Sequence, residues 1–219
     1  MAIGHQVIER PGDFGSRPRR SSVYGFLGLR PVYAQHTQAE EDLLARYAAG
    51  RKSLAEIGVA EGASAAVLRR CAAPDATIFL IDPFIPGRLP LSLERFIARR
   101  YVGAVANGRV EWIERFSHQA VETWKTPLDF LFIDGDHSYE ACLRDWSQWS
   151  PFVVAGGIVA FHDARVFEGG WTSADWGPVR VIADVFGSGK ADGWSVVGGV
   201  DSLVVVERAG TADNIPCAA

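Results

Sequence analysis

The segment of residues 54–64, LAEIGVAEGAS, constrains the fold more than any other part of the chain. An apolar stretch typical of a buried strand runs into two glycines, Gly58 and Gly62, and small residues typical of a helix follow. A strand, a glycine-containing turn and a helix in this order form the nucleotide-binding turn of open α/β sheets. The segment therefore predicts an open sheet with a ligand site at this turn.

The charge of this glycine loop restricts the ligand. Glu56 and Glu61 flank the glycines, and their carboxylates would repel the phosphates that such loops bind through backbone N–H groups and a helix N-terminus. The spacing Gly58-x-x-x-Gly62 also lacks the middle glycine of the dinucleotide fingerprint. A ligand with a cationic end and no phosphate groups fits this loop better.

The composition argues against several classes of protein. The 219 residues suffice for one α/β domain with a full core, and the net charge of -4 argues against nucleic acid as the main partner. Because no apolar run reaches about 18 residues, we expect no membrane span. The first residues do not resemble a secretory signal, and the three cysteines are widely separated, so the sequence predicts a cytoplasmic protein.

Strand-like and helix-like segments alternate along the chain, which predicts a single Rossmann-like, doubly wound α/β domain with a mostly parallel seven-stranded sheet. The last two strand segments have a short link that allows only an antiparallel hairpin. We expect the domain to span residues 37–208, between an irregular N-terminal arm at 1–36, serving as a lid or an oligomer contact, and a flexible tail at 209–219. The predicted strands are 53–58, 77–81, 110–116, 128–133, 158–161, 194–197 and 203–207.

Polar residues follow the first five predicted strands. Ligands of open α/β sheets bind beyond the carboxyl ends of the strands, so these residues are the first candidates for a site. They are Gly58 and Gly62 after the first strand, Asp82 after the second, Ser117, His118 and Gln119 after the third, Asp134, Asp136 and His137 after the fourth, and His162 and Asp163 after the fifth.

The segments IDGDHSYE at residues 133–140 and GGIVAFHD at residues 156–163 resemble class I S-adenosylmethionine-dependent methyltransferases, in particular small-molecule enzymes of the methyltransferase-24 type. The resemblance covers residues 37–208 and includes the glycine loop and the terminal hairpin. S-adenosylmethionine carries a sulfonium and an ammonium group but no phosphate, in agreement with the acidic loop. The resemblance implies methyl transfer to a small-molecule acceptor, and the acidic cluster favours a hydroxyl oxygen.

The resemblance also implies roles for individual residues. Glu56 would fix the methionine end of the cofactor, Asp82 would bind the two ribose hydroxyls, and Ser117 would lie beside the adenine. Asp134 would contact the methionine amine or a metal ion. The expected cofactor-binding residues are Glu56, Gly58, Gly62, Ser64, Asp82, Ser117 and Asp134, and the glycines would let the backbone approach the ligand.

We expect the catalytic residues to be His137, Asp134 and His162, with His137 as the first candidate for the base. In the related sugar and catechol enzymes, oxygen ligands after the fourth and fifth strands hold Mg²⁺, and the matching positions here are Asp134, His162 and Asp163. A histidine suits Mn²⁺ or Zn²⁺ better than Mg²⁺. The site would thus hold a softer ion, or none, in which case His162 would serve as a base or a substrate contact.

Alternatives remain open for the function and for several residues. A nicotinamide-dependent oxidoreductase or a non-catalytic binding protein could use a similar sheet. Glu61 is expected to be solvated, Asp136 could cap the following helix, and Trp146 and Trp149 are expected in the core. The expected partner is a small-molecule acceptor, with neither nucleic acid nor a membrane, and a homodimer remains open.

Overall fold

The computed structural model describes residues 21–86, 91–187 and 191–210. Within these residues, seven strands form one sheet in the order β3-β2-β1-β4-β5-β7-β6. The strands are β1 (Ser53–Ile57), β2 (Thr77–Ile81), β3 (Arg109–Ile113), β4 (Leu128–Ile133), β5 (Val153–Phe161), β6 (Trp194–Val200) and β7 (Leu203–Arg208). The first five strands pair in parallel, and β7 runs antiparallel to β5 and β6. The predicted Rossmann-like sheet with its C-terminal hairpin is confirmed.

Helices cover both faces of the sheet because the strand side chains alternate between two apolar layers. Leu54 and Phe132 pack on one side, whereas Ala55 and Leu131 pack on the other. Trp149 is fully buried in the second layer, and Trp146 lies there too, as predicted. The helices are α1 (Ser21–Phe26), α2 (Gln38–Ala48), α3 (Ala63–Cys71), α4 (Leu93–Gly103), α5 (Ser117–Ala120), α6 (Tyr139–Trp149) and α7 (Gly177–Val185).

Two strands differ in length from the prediction. β3 ends at Ile113 rather than at residue 116, because the chain turns there and begins the short helix α5 at Ser117. β5 begins at Val153 rather than at residue 158, and its pairing with β4 shifts register between Leu128 and Phe130. The polar residues after both strands still lie at the carboxyl edge of the sheet.

None of the described helices combines the length and the apolar character that crossing a bilayer requires.

The described part of the N-terminal arm packs against the domain, and a short helix interrupts the segment that the sequence predicts to be irregular. Residues 21–26 form α1, and the Arg100 guanidinium of α4 donates to the backbone oxygens of Gly25 at 2.7 Å and Phe26 at 2.9 Å. Val32 and Ala34 are buried in a small cluster with α4. Residues 1–20 of the arm and 211–219 of the tail lie outside the described residues.

Candidate active site

A cavity of about 500 Å³ lies at the carboxyl ends of β1, β2 and β4. The glycine loop, the ends of these strands, the start of α5 and the arm contribute to its wall. Of the predicted site residues, the wall contains Gly58, Gly62, Ser64, Asp82, Ser117, Asp134 and His137; it also contains Tyr33, Gln35 and His36 from the arm and Arg144 and Asp145 from α6. The structure therefore gathers most of the predicted cofactor-binding residues around one cavity.

The two glycines of the loop are required by neighbouring protein atoms. Both have a φ of +85°, a left-handed conformation that strains other residues. A Cβ on Gly58 would lie 2.1 Å from the backbone oxygen of Asp134, and a Cβ on Gly62 would lie 2.8 Å from Val102 Cγ2. The sequence predicts glycine here to leave room for a ligand. The structure shows a further reason, because the residue after β4 lies against Gly58 and α4 lies against Gly62.

Asp82 holds the glycine loop in place. Its Oδ2 accepts hydrogen bonds from the backbone N–H groups of Val59 at 2.8 Å and Ala60 at 3.1 Å, and its Oδ1 accepts one from Phe84 at 2.7 Å. An ionised carboxylate has about four acceptor positions, so Asp82 keeps capacity for a ligand hydroxyl. The residue thus shapes the loop in addition to lining the cavity.

Glu56 is a buried carboxylate, and no cationic side chain of the described residues pairs with it. Ser64 Oγ donates to its Oε1 at 2.5 Å, whereas its Oε2 has no hydrogen-bond partner among the described residues. Burial raises the pKa of Glu56 well above its ordinary value, and the nearby charges of Asp134 and Asp82 raise it further. A cationic group bound at this point would offset these costs, because buried charges are stabilised by pairing.

Ser117 is held by a residue that sequence reasoning did not identify. Its Oγ donates to Asp145 Oδ1 at 2.5 Å, and burial raises the pKa of Asp145 above its ordinary value. Asp145 lies in the middle of α6, away from any strand end. The only sequence signal was a carboxylate on the apolar face of that helix, beside Trp146 and Trp149.

His162 lies in the core beneath the cavity, between two carboxylates. Its Nδ1 is 3.0 Å from Asp134 Oδ1, and its Nε2 is 3.5 Å from Oε2 of the fully buried Glu40. Burial lowers the pKa of His162, but the charge of Asp134 and its other acidic contacts outweigh burial and raise it well above the ordinary value. Glu40, which lies in α2, was not identified from the sequence.

His137 lies at the cavity wall and contacts two of the predicted residues. Its Nε2 is 3.1 Å from Asp163 Oδ2 and 3.6 Å from Asp134 Oδ1, and both contacts are ion pairs without linear hydrogen-bond geometry. They raise the pKa of His137 to about 9. The resting side chain is therefore an imidazolium, which can donate a proton but must lose one before it can serve as the predicted base.

Asp134 and Asp163 complete this arrangement, which we call the histidine–carboxylate cluster: Glu40, Asp134, His137, His162 and Asp163. Burial raises the pKa of Asp134, but the His162 charge and contacts from both histidines outweigh it and hold that pKa well below its usual range. Asp163 has a positive φ of 52°, and its Oδ1 accepts a hydrogen bond from Trp171 Nε1 at 2.7 Å. The cluster thus combines three carboxylates with two imidazoles, and each imidazole contacts at least two of the carboxylates.

A metal ion is compatible with part of the cluster. One ligand atom from each of Asp134, His137 and His162 lies within 4.8 Å of the others. One carboxylate and two imidazoles suit Mn²⁺ or Zn²⁺ and do not suit Mg²⁺, which prefers oxygen ligands. His137 joins this set in place of the predicted Asp163, which is engaged by His137 and Trp171.

Glu61 is buried, so the expectation that it is solvated is wrong. Its two carboxylate oxygens accept from the Arg30 guanidinium at 2.8 and 2.5 Å, and Oε2 also accepts from the Tyr33 backbone N–H at 3.0 Å. Only 10% of the Arg30 and 8% of the Glu61 side chain is exposed. This ion pair attaches the arm to the glycine loop.

Asp136 caps the following helix in part, as the alternative interpretation allowed. Its Oδ1 accepts from the Ser138 backbone N–H at 2.7 Å, and Ser138 is the N-cap of α6. Backbone and side-chain contacts with Ser138 lower the pKa of Asp136 below its ordinary value. The residue also lines the cavity, where its carboxylate stays ionised.

One known protein is similar in sequence to part of this chain. A curated relative, the uncharacterized protein R132 of Acanthamoeba polyphaga mimivirus, is 28% identical over 87 residues, or 37% of this chain and 38% of that protein. The match thus spans well under half the length of that relative.

Solved structures share the fold at low sequence identity. One is an O-methyltransferase of tomaymycin synthesis from Streptomyces achromogenes, in complex with S-adenosylmethionine. It matches with a TM-score of 0.59 and 15% identity over 87% of this chain and 88% of that chain. A structure from Clostridium thermocellum described as a putative rRNA methylase matches with a TM-score of 0.60 and 13% identity over 78% of this chain and 94% of that one. The fold alone therefore does not distinguish between acceptors.

The methyltransferase-24 family model, described as a methyltransferase domain, matches residues 55–164, which is half of the chain. The matched segment contains the glycine loop, Asp82, Asp134, His137, His162 and Asp163. The chain therefore belongs to this family of class I S-adenosylmethionine-dependent methyltransferases.

Proposed function

We propose that the chain transfers the methyl group of S-adenosylmethionine to a hydroxyl oxygen of a small-molecule acceptor. The observation that carries this proposal is the cavity of about 500 Å³, with the Glu56 carboxylate buried behind Ser64 of the cavity wall. Its volume is within the ordinary range of small-molecule sites, about 300–1,000 Å³. The ligand-free fold favours neutral Glu56, and the ammonium group of the cofactor would stabilise its ionised form.

The other predicted contacts arrange the cofactor along the cavity wall. Asp82 would accept hydrogen bonds from the ribose hydroxyls, and the Ser117 end of the cavity would receive the adenine. Phe116 and His118 stack at this end, with ring centroids 5.5 Å apart and ring planes 22° apart. The sulfonium would then lie near Asp134, at the carboxyl ends of β4 and β5, where the histidine–carboxylate cluster begins.

Methyl transfer is an in-line displacement, so the protein has to align the acceptor oxygen and remove its proton. The His137 imidazolium can hold the acceptor oxygen by donating a hydrogen bond, because its pKa is raised to about 9. If a divalent ion binds, Asp134, His137 and His162 would hold it, and it would lower the pKa of the acceptor hydroxyl. Asp163 and Glu40 orient the two histidines by their charge.

A small acceptor is favoured over a macromolecule by the arm. Tyr33, Gln35 and His36 contribute to the cavity wall, so the arm narrows the space beside the cluster. The net charge of -4 would also disfavour a nucleic-acid acceptor. The fold supports either acceptor, so this preference depends on the cavity and the charge.

Calorimetry with S-adenosylhomocysteine tests the cofactor assignment. Asp82→Asn removes a charged hydrogen-bond acceptor, a loss of about 1.5–3 kcal/mol, and should weaken binding about tenfold or more. Asp75→Asn is the matched control, because Asp75 is exposed and pairs only with Lys52 among the contacts of its side chain in the described residues. Absence of binding by the unmodified protein would contradict the cofactor assignment.

Product analysis tests the acceptor. The protein is incubated with methyl-labelled S-adenosylmethionine and catechol, 4-nitrophenol, glucose or total RNA, and the labelled product is identified by mass spectrometry. We expect O-methylation of a small hydroxyl compound. Labelling of RNA alone would replace the acceptor class, and labelling of none would contradict the proposal.

A further inference from the structure

His36 is a buried imidazole in the cavity wall that the cofactor contacts do not use. Only 5% of its side chain is exposed, and its Nε2 has no hydrogen-bond partner among the described residues. Glu41 Oε2 lies 3.5 Å from Nε2, which is too far for a good hydrogen bond. Because Nε2 is enclosed and faces Glu41 while the ring lines the cavity, a ligand in the cavity would meet the edge of the imidazole that carries Nδ1.

The residues before and after His36 in the sequence are both anchored to the domain. On the N-terminal side, Val32 and Ala34 are buried, and the Tyr33 N–H binds Glu61. On the C-terminal side, Thr37 is the N-cap of α2, and its Oγ1 donates to Asp201 Oδ2 at 2.6 Å. His36 is thus fixed before a substrate arrives, as catalytic groups need to be.

The start of α2 lies beside the reacting centre. Glu40, one helical turn after His36, is 3.5 Å from His162, and His162 is 3.0 Å from Asp134. His36 lines the same cavity as Asp134 and His137, which follow β4. The sulfonium methyl of the proposed cofactor would lie at the same edge of the sheet.

The other two histidines of the cavity wall are less suited to accept a proton. The Nε2 of His137 faces the carboxylates of both Asp134 and Asp163, and His118 stacks on Phe116 at the end assigned to adenine. His36 instead has one carboxylate neighbour, Glu41, which can stabilise the imidazolium that forms when the ring takes a proton.

We propose that His36 is the general base of the methyl transfer, an inference that rests on the proposed function. Nδ1 of the imidazole takes the proton of the acceptor hydroxyl as the oxygen forms its bond to the methyl carbon, while Nε2 faces Glu41. The carbon–sulfur bond breaks, and its electron pair stays on sulfur, which gives the methyl ether and S-adenosylhomocysteine. The proton leaves His36 for solvent, so one proton is released for each turnover.

The test compares His36→Gln with Gln38→Ala, a control on the same chain segment. The exposed Gln38 side chain donates to Asp42, outside the cavity wall. A general base contributes about 10²–10⁴-fold, so His36→Gln should lower kcat on catechol about 100-fold or more. The affinity for S-adenosylhomocysteine should change less than about twofold. Gln38→Ala should match the unmodified enzyme in both measurements.

A second acceptor separates a base from a structural role. In mildly alkaline buffer 4-nitrophenol is already ionised and needs no base, so His36→Gln should lose far less activity on it than on catechol. Added imidazole should restore catechol turnover in His36→Ala. Equal losses on both acceptors without imidazole rescue, or full activity on catechol, would overturn the inference, whereas an unmodified enzyme inactive on every hydroxyl compound would overturn the proposed function and the inference with it.

Discussion

Removing one partner of the ion pair between Arg30 and Glu61 should destabilise the protein strongly, because both side chains are about nine-tenths buried. Arg30→Met leaves the Glu61 carboxylate buried with only the Tyr33 N–H as a described partner. Removing one partner of a buried pair typically costs about 3–5 kcal/mol. For a chain of this size, each kcal/mol lowers Tm by about 2–4 °C, so the expected loss is roughly 6–20 °C.

Thermal unfolding followed by circular dichroism measures this loss in a double-mutant cycle. Glu61→Gln keeps an acceptor for the Tyr33 N–H, so the double variant Arg30→Met/Glu61→Gln should recover much of the stability lost in Arg30→Met alone. Lys52→Met is the control, since the Lys52–Asp75 pair is exposed and such pairs contribute little. Equal shifts for Arg30→Met and Lys52→Met, or no recovery in the double variant, would refute the reasoning.

Three further predictions concern the loop and the cluster. Burial raises the pKa of Glu56, so the folded state favours its neutral form and loses stability as the pH rises above the ordinary glutamate range. Glu56→Gln still accepts a hydrogen bond from Ser64, and it should raise the Tm of the ligand-free protein at neutral pH but not in acid. A Tm difference that does not change with pH would contradict this. Gly58→Ala should prevent folding, because its Cβ would lie 2.1 Å from a backbone oxygen. Gly50 has a similar φ of +71° but no atom within 4 Å of the added Cβ, so Gly50→Ala should lower the free energy of unfolding by only about 1–2 kcal/mol in denaturant titrations. Removal of metal by chelation should abolish activity only if the histidine–carboxylate cluster binds an ion, and Mn²⁺ or Zn²⁺ should then restore activity better than Mg²⁺, as steady-state assays after each addition would show.

Much of the cavity wall could be predicted because its residues occupy equivalent places in successive strands. Asp82, Asp134 and His137 each follow a strand, and parallel strands bring their carboxyl ends to one edge of the sheet. This reasoning needs only the alternation of strands and helices and the local glycine pattern. The same reasoning indicated His162 and Asp163, although it could not show that His162 is buried beneath the cavity.

The partners of these residues come from parts of the chain where local patterns carry no such information. Glu40 reaches His162 across 122 positions of sequence, and the same carboxylate accepts from Ser202, 162 residues away. Asp145 on α6 binds Ser117, and Arg30 in the arm binds Glu61. A charged residue on a helix or in a loop gives no indication of whether it will be solvated or paired in the interior.

The sequence by itself therefore determined the sheet, its terminal hairpin, the glycine loop and the edge at which the polar residues meet. These depend on strand periodicity, on glycine at a positive φ, and on the common direction of parallel strands. Only the tertiary structure decided which charges neutralise each other, that Glu61 attaches the arm, and that His36 lies in the cavity wall. Electrostatic pairing acts through space at a few ångströms, and the distances between α2, the arm and the sheet arise from packing that no local stretch of sequence encodes.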